Sequence, residues 1–158
     1  MENYMQTLYS AEATATGGRT GSAKSSDGCL AVTLDTVKEL GGGGGDGTNP
    51  EQLFAAGYAA CFLGALKHVA NQRKLKVADE TTVTATVGIG PREDGQGFEL
   101  DVALSVTLPG IHHAVAEDLI AQADIVSPTR TWPATAPPSA STGSLDPQAY
   151  ARSPFSRR

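Results

Sequence analysis

A chain of 158 residues with 40% apolar and 18% charged side chains is long enough for one domain whose core needs neither disulfides nor a structural metal. A net charge of −5 and a pI near 5.1 argue against nucleic acid or an anionic membrane surface as a partner. Two cysteines, Cys29 and Cys61, are too few for a disulfide scaffold or a four-thiolate zinc site. No stretch approaches the roughly 20 apolar residues of a membrane span, and the first residues lack the basic start and apolar block of a signal peptide. The expectation is a soluble cytoplasmic protein whose thiols begin reduced.

From the N-terminus, Met5 to Thr16 alternates loosely around Leu8, Ala11 and Ala13 and predicts a first strand. Gly17-Gly18-Arg19-Thr20-Gly21 breaks it and sets one arginine on a tight turn. After the Ser26-Asp27-Gly28 turn, Leu30, Val32 and Leu34 alternate as a second strand. Gly41 to Gly47 reads as a flexible loop. It lacks the Lys-Ser/Thr pair of a phosphate-binding loop, since Thr48-Asn49-Pro50 follows, and no cofactor is expected there.

Asn49 as a cap, Pro50 in the first helical position and Gln52 as a capping-box partner predict the start of a helix. From Glu51 to Asn71 this helix is apolar nearly all round for four turns, which predicts a place in the centre of the fold. Val83, Ala85, Val87 and Ile89 form another strand, and Phe98 to Leu108 carries six apolar residues at period two. The two predict a hairpin. Ala114, Val115, Leu119 and Ile120 mark the inner face of a second helix running to about Ala123. Beyond Val126 the composition changes abruptly. Residues 127–158 hold six of the nine prolines and six serines, with Leu145 the only aliphatic residue larger than alanine. A folded domain over 1–126 and a disordered tail over 127–158 are expected.

The chemistry-bearing candidates are few. Cys61 lies mid-helix, where a cysteine is most often a small core residue, but its alanine- and glycine-rich surroundings let other atoms approach. A reactive Cys61 needs a cation beside it. His68 is two helical turns away, about 10 Å, too far to hydrogen-bond the sulfur. Arg19 is the other candidate, and Glu51 at the helix start is at least a favourable charge there. Cys29, at the start of an outer strand, reads as structural. The adjacent His112 and His113 point apart on a helix and read as surface.

Several runs resemble the organic hydroperoxide resistance family of the OsmC-like superfamily. They are Gln6-Thr7-Leu8-Tyr9, Ala13 to Arg19, Ser25 to Gly28, Gly47 to Tyr58, Ala60-Cys61-Phe62 and Val87 to Pro91. The resemblance spans residues 5–126. It implies an α+β fold with antiparallel sheets packed around a buried central helix in an intertwined homodimer. It implies a cysteine-based peroxidase that reduces alkyl and fatty-acid hydroperoxides in oxidative stress defence, without a cofactor. Cys61 would be the peroxidatic thiolate, Arg19 would stabilise it and position the peroxide, and Glu51 would orient Arg19. Lipoylated proteins or dithiols would be the reductant.

The chain also departs from that family. A resolving cysteine is expected after the second helix, in a run like Val-Cys-Pro-Tyr-Ser-Asn, where this chain reads Val126-Ser127-Pro128-Thr129. The change of composition is what an out-of-frame reading of GC-rich coding DNA gives. Without the resolving thiol, a redox-inert ligand-binding protein or a non-functional product is the alternative expectation.

Overall fold

The structure, a computed structural model, describes residues 6–131 and 139–141, which divide into two units at the Pro50–Glu51 junction. In the first unit β1 (Ala13–Thr16), β2 (Ser22–Ser25) and β3 (Ala31–Thr33) form an antiparallel sheet in that order. β1 is much shorter than the strand expected from Met5. Leu8 and Tyr9 precede it and are 92% and 80% exposed, so their alternation finds no sheet to face. β2 was not expected at all: Ser22-Ala23-Lys24-Ser25 has no apolar period, and it is held by pairing with strands on both sides.

The turn between β1 and β2 depends on glycine. Gly17 and Gly18 adopt φ of 75° and 61°, and a Cβ on Gly21 would lie 1.7 Å from the Thr16 carbonyl oxygen. Arg19 sits inside this turn, in a single 3-10 turn over Gly18–Thr20.

The second unit runs α1 (Pro50–Gln72), β4 (Thr82–Pro91), β5 (Phe98–Thr107), α2 (His113–Val126), a 3-10 turn (Pro128–Thr131) and β6 (Ser139–Ser141). β4 and β5 make the expected hairpin, in register from Thr82↔Thr107 to Pro91↔Phe98. α1 ends as Lys74 turns left-handed at φ 58° and the Leu75 N–H donates back to the Ala70 carbonyl.

Two short elements fall within the segment expected to be disordered. One is the 3-10 turn, the other β6, which pairs parallel with β5 at Ser105↔Ser139, Val106↔Ala140 and Thr107↔Ser141. Sheet pairing needs backbone groups and an available edge, and Ser139 to Ser141 is free of proline. The rest of that segment, 132–138 and 142–158, lies outside the described residues.

One core fills this unit. Tyr58, Phe62 and Leu66 of α1 pack with Val102, Leu104 and Val106 of β5, with Leu108 beyond it, and with Ala116, Ile120 and Ala123 of α2. Val69, Ala70 and Leu119 extend it between the helices. Two expectations need correction. Only four of the six period-two residues after the hairpin turn are buried, because Phe98 and Leu100 stay 66% and 40% exposed at its far end. The statement that no stretch could span a membrane also fails, since α1 is long and apolar enough by length and composition alone. Within the chain, however, one side of α1 is spent on the core just described.

Two substitutions test this packing by chemical denaturation. Leu66→Ala, at a side chain with no exposed surface, should cost roughly 2–5 kcal/mol. Thr81 is buried, and its hydroxyl finds no partner among the described residues. Thr81→Val should therefore be neutral or stabilising by up to about 1 kcal/mol, and a loss above that would show the hydroxyl is bonded.

Candidate active site

α1 begins where its sequence signals place it. Asn49 is buried directly before Pro50, the first helical residue, and Glu51 lies in the first turn, where carboxylates are favoured by the helix dipole. The buried positions of α1 are Tyr58, Phe62, Leu66, Val69 and Ala70, spaced by fours and threes as one face of a helix. Cys61 is one residue off this ridge and is half-buried, not sealed in the core. Its neighbours on the outer side are Gly57 and Gly64, four before and three after, and a Cβ on either would meet nothing within 4 Å. Ala56 and Ala60 are exposed beside them. On this side the helix borders the sulfur with small residues only.

On the buried face of α1, Tyr58 belongs to a group of hydroxyls that the sequence pattern did not single out. Tyr58, one turn before Cys61, is buried at 7% exposure. Burial pushes its phenol above the ordinary 10.0; a hydrogen bond with the Thr129 side chain opposes this, and the negative charges of Asp124 and Cys61 add to it. Thr129 shares a 2.6 Å contact with the hydroxyl of Ser127, which is itself buried. Nothing in the local pattern of 127–129 announced this cluster. Only the position of Tyr58, three residues before Cys61, was a signal.

The other sequence candidates fall as follows. Glu51 and Cys61 are ten residues apart on one continuous helix, about 15 Å along its axis, so a single α1 does not bring them together. Arg19 belongs to the first unit, half-buried in its glycine turn. Cys29 is exposed in the turn ahead of β3, its N–H donating to Asp27 Oδ1 at 2.9 Å, and not in a strand. His68 is exposed, 3.0 Å from Gln72, and His113 lies 3.3 Å from Glu117 along α2. Among the described residues no three His, Cys, Asp or Glu side chains gather as a metal site would require.

Comparison with known proteins decides the family. Residues 43–132 match the sequence profile of the family described as OsmC-like protein. The organic hydroperoxide resistance protein of Xanthomonas axonopodis pv. citri is 54% identical over 121 residues, 77% of this chain and 84% of that protein. This chain belongs to the OsmC-like family, within its organic hydroperoxide resistance group. The α+β fold agrees. The crystal structure of an organic hydroperoxide resistance protein from Elizabethkingia anophelis superposes with a TM-score of 0.80 at 47% identity, covering 88% of this chain and all of that one. A Vibrio cholerae structure described as a putative organic hydroperoxide resistance protein, with captopril bound in one of its active sites, gives 0.78 at 40% identity over 90% of this chain and 96% of its own.

The hydroxyl cluster of this OsmC-like chain is open to a direct check. The native state holds the Tyr58 proton at pH values where the unfolded chain has lost it. Its contribution to stability is therefore complete below about pH 10 and is lost as pH rises through the higher folded value. In an alkaline absorbance titration, Tyr58→Phe should remove a phenol that ionises above the ordinary 10.0. Loss of an early-titrating phenol instead would contradict the buried placement.

Proposed function

We propose that this chain is a thiol-dependent peroxidase that reduces organic hydroperoxides to alcohols, with Cys61 as nucleophile. The observation that carries the reading is the half-exposed Cys61 on the open, small-residue side of α1 in a chain whose relatives are named for organic hydroperoxide resistance. The Cys61 thiolate attacks the terminal oxygen of R–O–OH. An S–O bond forms, the O–O bond breaks, and the alkoxide takes up a proton and leaves as the alcohol. Cys61 is left as a sulfenic acid, oxidised by two electrons. Arg19 supplies the cation that favours thiolate, and Glu51 holds its guanidinium by paired hydrogen bonds. The apolar border of Cys61 favours alkyl and fatty-acid hydroperoxides over hydrogen peroxide.

The active form in this reading is a homodimer. Glu51 lies about 15 Å from its own Cys61 along α1, so it serves the cysteine of a second copy. The exposed Ala56, Gly57, Ala60 and Gly64 of α1, with Phe98 and Leu100 at the hairpin end, are apolar surfaces that a second copy would cover. Sedimentation should give about twice the 16.3 kDa chain mass.

Regeneration differs from that of a chain with two reacting cysteines, because Ser127 cannot form a disulfide. An external dithiol, such as a lipoyl group, attacks the sulfenic sulfur and releases water. Its second thiol then displaces Cys61 and carries away the two electrons as a disulfide. Ser127 equally favours a second reading, a redox-inert protein that binds apolar ligands. With tert-butyl or fatty-acid hydroperoxide and dihydrolipoamide, the peroxidase should turn over many times, and Cys61→Ser should abolish it. A single stoichiometric burst would restrict the function to the oxidative half. No consumption by the wild type would favour the inert reading.

A further inference from the structure

The first unit contains a junction whose geometry bears on both proposed helpers of Cys61. Segment Thr33–Thr36 is bonded on two sides. Towards the Arg19 turn, the Leu34 N–H donates to the Gly21 carbonyl at 2.8 Å and the Thr36 hydroxyl donates to the carbonyl of Arg19 itself at 3.4 Å. Towards the entry to α1, the Thr48 N–H donates to the Thr33 carbonyl at 3.0 Å and the Asp35 N–H donates to the Thr48 carbonyl at 2.9 Å. Leu34 and Thr48 thereby form an isolated parallel bridge, and Leu34 is only 4% exposed.

The Asp35 side chain completes the second connection. Its Oδ2 accepts from the Gly47 N–H at 2.6 Å. A Cβ on Gly45 would lie 2.5 Å from the same oxygen, and one on Gly47 2.7 Å from it, so the carboxylate is seated among the loop glycines. The glycine run is thus held in place by Asp35 and by Thr36, whose carbonyl accepts from the Gly44 N–H at 3.1 Å. Thr48, gripped by this segment, is three residues before Glu51 in the chain.

We infer that Asp35 is a positioning residue for the peroxidase reaction, tying Gly47 and Thr48, which lead into α1, to the turn that carries Arg19. The inference rests on the roles proposed above for Arg19 and Glu51. It acts through backbone: by holding the Gly47 N–H, Asp35 removes the freedom that five consecutive glycines would otherwise give the chain before α1. An acceptor at this position is what the Gly47 N–H requires, and the negative charge is secondary.

The test compares Asp35→Ala with Asp35→Asn in the full chain, reading kcat/KM for tert-butyl hydroperoxide and the pH profile of Cys61 alkylation by iodoacetamide. Asp35→Ala should lower kcat/KM by about 10- to 100-fold, the scale of a misplacement near 1 Å, and move alkylation to higher pH. Asp35→Asn, which keeps an acceptor oxygen, should stay close to wild type in both. Equal values for the two variants, whether both normal or both impaired, would overturn the positioning role. Should Asp35→Ala not fold, Thr36→Val against Thr36→Ser gives the same comparison through the Arg19 carbonyl. A wild type that alkylates only near the ordinary thiol range, about pH 8.5, would instead remove the peroxidase reading beneath it. Early wild-type alkylation with an unchanged Asp35→Ala profile would sink the inference alone.

Discussion

The period of one helix decides how the Cys61 sulfur meets its surroundings. Tyr58, Phe62, Leu66 and Val69 are the large buried side chains of α1, and they face the core shared with β5 and α2. Fixing those four fixes the angle of every other position. Cys61 falls at the shoulder of the ridge, with its backbone held by a buried neighbour on the next residue and its sulfur at the margin. A cysteine at 62 would have been sealed in the interior, and one at 60 would have stood on the exposed side of the helix. Rigidity and access therefore come from the same packing.

How much of this was legible in the sequence depends on how local the cause was. The start of α1 was readable to the residue, because Asn49, Pro50 and Glu51 each act on the first turn alone. The β4–β5 hairpin was readable because both strands alternate apolar and polar side chains. β2 was not, since Ser22 to Ser25 has no preference of its own and takes its form from β1 and β3. Burial was overestimated at Phe98 and Leu100 for a related reason: alternation says which face is apolar, not whether anything lies against it. Of the proposed site, Cys61, Arg19 and Glu51 came from a resemblance over long motifs, while physical reasoning alone left Cys61 as one more core residue. Tyr58, Ser127, Thr129 and Asp35 escaped because their significance lies in contacts across 12 or more residues, or in a turn with no repeating pattern.

The glycine run illustrates the same limit from the other side. Composition reads five consecutive glycines as a spacer. In the folded chain they are unequal: Gly41 and Gly44 need a left-handed backbone, Gly42 and Gly45 lie where a Cβ would collide, and Gly43 alone has neither constraint. What looks like freedom is largely close approach, of a loop to the two residues it wraps.

β6 has a different kind of consequence. Three small residues, Ser139 to Ser141, extend a sheet by backbone pairing with β5. An edge of that sort recognises amide groups and tolerates nearly any side chain that is not proline. A strand built this way is specified by its backbone and by the absence of proline, so many three-residue segments would serve in its place.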